Sequence, residues 1–315
     1  KDLVRRFREL GLTDVTIDPE GNVIGRRPGT RNGPTLVLGA HLDTVFPAGT
    51  DVRVREENGI YHAPGISDDA RGLAVILQVL RTMQEKNIQT IGDICFVCTV
   101  GEEGNGDLRG SKYLFLKSGM KIDGFISVDG VDVGRLLCAA TGSKRYRVHF
   151  DGPGGHSWKN FGYASAIHAM GRAIAKIADV RPCEDPRTTF TCGTIVGGTT
   201  VNSIAAHCEM ELDMRSAGGK ELDEIEAQIL PLIQAACEEE NARWGAEGDL
   251  AVKLTLEPIG HRPGGQQSDE SSVLQAARAA MNELGIELKK YDAASTDHNI
   301  AIHCGIPATT LGGGG

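Results

Sequence analysis

Six side chains able to bind a divalent cation or move a proton fall in a fixed order in the first half of the chain. His41 and Asp43 lie in GAHLDTV, Asp68 in GISDDARG, Glu102 and Glu103 in TVGEEGNGD, and Asp129 in ISVDG. Each follows or closes an apolar stretch that reads as a β-strand, so the groups can converge at one edge of a sheet. One imidazole and several carboxylates gathered in a small volume repel one another unless cations lie between them. That is the makeup of a hydrolytic zinc site.

Singly, each of these residues also has a plainer reading. His41 and Asp43 are two apart at a strand end and leave the same face. This suits a metal-binding imidazole whose tautomer is fixed by its acidic neighbour, and equally a surface histidine beside a turn aspartate. Asp68 and Asp69 precede a helix, where a carboxylate serves as a cap. Glu102 and Glu103 can point one to a metal and the other to an attacking water, or both into solvent. Asp129 closes a buried strand and needs a partner there. The joint order and spacing carry the signal.

The elements that must position these groups alternate. TLVLGAHLD reads as a strand, 71–87 as an amphipathic helix with Leu73, Ile76, Leu77, Leu80 and Met83 on one face, ICFVCTV as a strand, 110–118 as a helix, and DGFISVD as a strand. Such alternation predicts an α/β domain built on a mostly parallel sheet with helices on both faces, its ligand crevice at the carboxyl ends of the strands.

Near Ser143 the pattern changes to KRYRVHFDG, a helix over 164–180, TTFTCGTIVGG, HCEMELDMRS, a helix over 220–243 interrupted by Pro231, and DLAVKLTLEP. In HCEMELDMRS, Cys208, Met210, Leu212 and Met214 share one face, and Glu209, Glu211, Asp213 and Arg215 the other. One side of this sheet is therefore expected under helices and the other wet. The expected layout is a catalytic domain over 1–143 and 259–315, interrupted by an inserted α+β, ferredoxin-like domain over 144–258.

Composition narrows the function further. A formal charge of −9 opposes nucleic acid as a partner. No apolar run approaches the roughly 20 residues that span a bilayer, so no membrane partner is expected. Eight cysteines lack a disulfide rhythm, and Cys95 and Cys98, a C-x-x-C inside the strand ICFVCTV, read as core thiols. A reducing cytoplasm fits this usage. The sequence opens on Lys1 and closes on Gly312 to Gly315, so both ends read as cut, leaving room for a targeting segment upstream.

With these motifs in view, the chain resembles the zinc peptidase and deacylase family that includes peptidase T, glutamate carboxypeptidase, aminoacylase and succinyl-diaminopimelate desuccinylase. The match rests on His41-Leu-Asp43, Asp68-Asp69, Glu102-Glu103, Asp129, Gly154-Gly155-His156-Ser157, Gly197 to Asn202, Asp213-Met-Arg215 and Ser295-Thr-Asp297. These span nearly the whole chain. The resemblance implies two divalent metal ions, zinc with cobalt or manganese as substitutes, bridged by Asp68. His41 and Asp129 would complete the first ion's ligands, Glu103 would hold the second, and Glu102 would be the general base. The inserted domain would be a lid that forms a homodimer and supplies His156 of a partner subunit to the oxyanion, with Asn202 gripping substrate.

Arg215, and Arg262 in HRPGG, would pair a substrate carboxylate or serve structural ion pairs. Asp297 and Asn299 would lie in a loop beside the site, in substrate contact or supporting the loop. Family members place a last histidine ligand shortly after a glycine-rich turn like Leu311 to Gly315. The sequence ends inside that turn, and His298 and His303 do not match the position, so the second metal is expected to be one ligand short.

The expected activity is cleavage of an amide bond in small peptides. Deacylation of N-acyl amino acids comes second and hydrolysis of carbamoyl amino acids third. A non-catalytic binding protein on the same fold is opposed by the presence of Glu102. A purely structural zinc site is opposed by the absence of thiolates from the motifs.

Overall fold

The computed structural model describes residues 1–314. The chain divides into two compact units, Lys1–Thr141 with the segment from Gly265 onward, and Gly142–Gly264.

The first unit is built on a nine-stranded sheet. Its order is Thr13–Ile17, Val23–Arg27, Ile94–Thr99, Leu36–His41, Gly124–Val128, Ala308–Leu311, Arg135–Ala140 and Gly265–Gln266, with Lys290–Ala294 also paired to Arg135–Ala140. The strands at its centre run parallel: Leu36–His41 lies between Ile94–Thr99 and Gly124–Val128, and Ala308–Leu311 pairs with Gly124–Val128. Pairing turns antiparallel toward the Val23–Arg27 side.

Central strands covered on both faces must be apolar throughout, which is why ICFVCT is buried along almost its whole length. Helix Arg71–Glu85 buries Ile76, Leu80 and Met83 against this core. Cys95 and Cys98 are buried there, and burial pushes the Cys95 thiol up to about 11.

The second unit runs strand, helix, strand, strand, helix, strand. Its strands Gly142–Asp151, Thr188–Gly197, His207–Ser216 and Lys253–Arg262 form an antiparallel sheet in the order Thr188–Gly197, His207–Ser216, Gly142–Asp151, Lys253–Arg262. This is the ferredoxin-like order. The alternation in HCEMELDMRS appears as strict burial of Cys208, Met210, Leu212 and Met214, packed with helices Ala166–Ala178 and Gly219–Trp244.

One expectation fails. Helix Gly219–Trp244 runs unbroken through Pro231. Proline removes a single backbone donor, and buried Leu222, Ile225, Ile229 and Ile233 anchor the helix on both sides of it.

Candidate metal centre

His41 is the last residue of its strand, and Asp129 follows directly on Gly124–Val128. Glu102 and Glu103 come three and four residues after the neighbouring strand ends at Thr99. The parallel central strands thus deliver these groups to one sheet edge. Asp68 comes from the turn that starts helix Arg71–Glu85.

The imidazole of His41, only 2 % exposed, is held on both sides. Its Nδ1 lies 3.0 Å from the backbone carbonyl of Asp43, and its Nε2 lies 2.9 Å from Asp68 Oδ1 and 3.9 Å from Asp129 Oδ1. With Nδ1–H donating to the carbonyl, Nε2 is the nitrogen that faces the carboxylates, the usual orientation of a ligating histidine. Ligand atoms of His41, Asp68 and Glu103 lie within 4.8 Å of one another.

The electrostatics of the cluster are strongly negative. Burial alone would lower His41, yet the hydrogen bond with Asp68 and the charges of Asp129, Asp69 and Asp297 push it up to about 10. Burial and the charges of Asp68, Asp297 and Glu103 push Asp129 up to about 6, against the opposing pull of His41. A set of one imidazole and several carboxylates with this excess of negative potential fits a divalent metal.

Asp43 acts by a different route from the one expected. Its carboxylate lies 3.9 Å from the ring, and instead Oδ1 accepts the Glu102 N–H at 3.1 Å and Oδ2 the Glu103 N–H at 2.9 Å. It therefore fixes the backbone of the loop that carries both glutamates. Asp69 does comparable work below the site. Buried at 1 % exposure, it accepts the His41 N–H at 3.0 Å and the Gly72 N–H at 3.0 Å, and burial first, then Asp129, pushes it up to about 8. Only glycine fits at position 72, where a Cβ would stand 2.2 Å from Asp69 Oδ1 and 2.5 Å from the Val128 carbonyl.

For Asp297 and Asn299, burial favours support of the loop over contact with substrate. They are 1 % and 0 % exposed. Asp297 accepts hydrogen bonds from Thr99 and Ser111, and Asn299 donates to the Thr141 carbonyl at 2.8 Å and accepts the Thr296 N–H at 3.0 Å. Both support the loop from beneath. His298 is equally buried. Its Nε2 lies 3.0 Å from the Ala139 carbonyl and its Nδ1 faces Thr296 and Thr310, so burial pushes it down to about 4.

In the second unit, His156 and Asn202 share a loop pair. The short strands Gly155–His156 and Ser203–Ile204 pair, and the Ser157 N–H donates to the Asn202 carbonyl at 3.0 Å. Both residues are exposed, beside Trp158, Phe161 and Val201, which are exposed as well. Arg215 is exposed and its Nε donates to Asp213 Oδ2 at 2.6 Å, whereas Arg262 is buried at 5 % exposure. Sequence reasoning missed Asn22, Thr99 and Ser111. Asn22 Oδ1 accepts the Val100 N–H at 3.0 Å and so steadies the approach to the glutamates. A threonine inside the apolar run ICFVCTV was the one visible signal among these three.

An imidazole amid carboxylates at the strand ends of a mainly parallel α/β sheet is a candidate centre for metal-dependent hydrolysis. The chain belongs to the peptidase family M20/M25/M40, whose model matches residues 37–314. It is a metal-dependent hydrolase of peptide or amide bonds. It is 30 % identical over 325 aligned positions to protein YqjE of Bacillus subtilis (strain 168), covering 99 % of this chain and 83 % of the relative. A tripeptidase from Staphylococcus aureus superposes with a TM-score of 0.80 at 26 % identity, covering 99 % of this chain and 83 % of that one. Aminopeptidase PepT from Bacillus cereus gives 0.75 at 26 % identity, with the same coverage of both chains. Among the described residues no helix is long and apolar enough to cross a membrane.

Proposed function

We propose that the chain is a peptidase of small peptides, with His41, Asp68, Glu103 and Asp129 holding two divalent metal ions and Glu102 as general base. The observation that carries this reading is the meeting of His41, Asp68 and Glu103 ligand atoms beside Asp129, with Glu103 on a loop whose backbone the Asp43 carboxylate holds. When bound, the metals supply Lewis acidity for the scissile carbonyl and lower the pKa of a water.

The remaining work belongs to the chain. Glu102 removes the proton from the attacking water and returns it to the leaving amine. Asp43 keeps Glu102 and Glu103 in place by fixing their backbone, and Asp69 keeps the His41 backbone in place. His156 of the partner subunit donates a hydrogen bond to the developing oxyanion, Asn202 joins it in gripping substrate, and Arg215 pairs with the substrate carboxylate.

The second unit then acts as lid and dimerisation element. Its edge strand Thr188–Gly197 exposes Ile195 and Val196, which supports pairing with a second copy. The cysteines, all free, support a reducing compartment such as the cytoplasm.

A peptide substrate is favoured over an N-acyl amino acid by the likeness to the tripeptidase and to PepT. The test is a turnover screen of dipeptides, tripeptides and N-acyl amino acids with added zinc, cobalt or manganese. Turnover of peptides with a free amino terminus is expected to lead, and turnover confined to N-acyl amino acids would overturn the substrate assignment.

A further inference from the structure

The wet face of the four-stranded sheet carries a second group of metal-binding side chains, wholly inside the second unit. His149 lies on Gly142–Asp151, and His207 and Glu209 lie on the adjacent strand, with Glu209 directly opposite His149 and His207 opposite Asp151. One oxygen, Glu209 Oε2, stands 3.5 Å from His149 Nδ1 and 3.6 Å from His207 Nε2. The three ligand atoms lie within 4.8 Å of one another.

Donors bonded to zinc at about 2.0–2.2 Å in a tetrahedron stand about 3.3–3.6 Å apart. Both separations match that spacing and lie at or beyond the limit of a hydrogen bond. The far nitrogens are backed as well. His149 Nε2 lies 3.3 Å from Glu257 Oε2, and His207 Nδ1 lies 2.8 Å from Asp151 Oδ1. A carboxylate behind each imidazole fixes its orientation and raises the basicity of the nitrogen facing Glu209, the arrangement found behind ligating histidines. The ring centroids are 5.9 Å apart and the planes 36° from parallel. On this face the carboxylates Asp151, Glu209, Glu211, Asp213 and Glu257 exceed the cations Arg145, Arg147, Arg215 and Lys253 by one. Arg145 and Arg215 are engaged with Asp213, and Arg147 with Glu211 and Glu257.

We propose that His149, His207 and Glu209 form a separate site for a divalent transition metal of the zinc, nickel or copper type. Asp151 and Glu257 orient its two imidazoles, and water completes its coordination on the open side. The ion would tie two neighbouring strands of the second unit. Such a site is independent of the hydrolytic centre, because no residue is shared.

The test is equilibrium dialysis of the protein against zinc, with bound metal counted by elemental analysis. The unaltered protein is expected to hold one more ion than the variant His149→Ala/His207→Ala, with peptide turnover equal in the two. Glu209→Gln, a change at the surface that keeps the side chain's shape, provides the same comparison should the double variant fold poorly. Asp151→Asn and Glu257→Gln are expected to weaken the extra ion about 10–100-fold without abolishing it. Equal metal content in the unaltered protein, the double variant and Glu209→Gln would overturn the proposal and mark the cluster as an ion-pair lattice. Because the hydrolytic ligands are untouched, that outcome leaves the catalytic reading standing.

Discussion

The two sheets place polar chemistry in opposite ways. In the first unit the central strands are buried on both faces, so reactive side chains emerge only where strands end, as at His41 and Asp129. In the second unit one face of the antiparallel sheet packs under helices, and the other presents His149, Glu209, Glu211 and Arg147 along the strands themselves. A buried parallel sheet concentrates charge at one edge, where desolvation shifts pKa values strongly. An open antiparallel face spreads charge into a lattice that solvent screens. That contrast accounts for His41 being driven up to about 10 amid buried carboxylates, whereas Arg147 and Glu211 form a half-exposed ion pair at 2.8 Å.

The contrast sharpens most at Glu102. Glu102→Gln keeps the size of the side chain and removes its basicity, so turnover should fall by on the order of 10²–10⁴. Metal content measured by elemental analysis should be unchanged, and a parallel loss of metal would show Glu102 to be a ligand. Next comes the packed side of the second sheet. Met210→Ala, at a fully buried position, should cost roughly 2–5 kcal/mol in denaturant unfolding, and Glu211→Ala on the wet side of the same strand less than about 1 kcal/mol. Equal costs would break the two-faced picture.

His298 gives a pH-dependent test inside the first unit. Its folded pKa, about 4, lies below its ordinary value of 6.5. The unfolded chain therefore binds the proton first as pH falls. The stability present above pH 6.5 should decline by roughly 3 kcal/mol down to about pH 4. In His298→Gln that part of the slope should vanish, and an unchanged difference between the unfolding curves at the two pH values would contradict the assignment. Asp43→Ala should reduce turnover by about 10–100-fold through its effect on the loop that carries both glutamates. Wild-type kinetics in this variant would show that the backbone hydrogen bonds to Glu102 and Glu103 are dispensable.

Much of this was legible in the residues because it depends on local pattern. Apolar runs that end in His or Asp identify strand ends, and the period of two in HCEMELDMRS identifies a half-wet sheet. What was hidden depends on contacts between segments distant in sequence. Nothing near Asp43 reveals that its carboxylate accepts N–H groups 59 and 60 residues away. Asp297 and Asn299 are polar residues in a loop and read equally as substrate contacts or loop supports, and only their distant partners Thr99, Ser111 and Thr141 separate the two readings. Pro231 carries a local signal to break the helix, which the buried isoleucines on its flanks override.

The central claim is that the imidazole and carboxylates at the edge of the parallel sheet are built around divalent cations that the hydrolysis requires. Its most direct test is to strip the protein with a chelator and then follow tripeptide turnover as zinc or cobalt is added back. The account predicts negligible turnover in the stripped protein, restoration on adding metal, and no restoration in His41→Ala or Asp68→Ala. Undiminished turnover after complete removal of metal would contradict it.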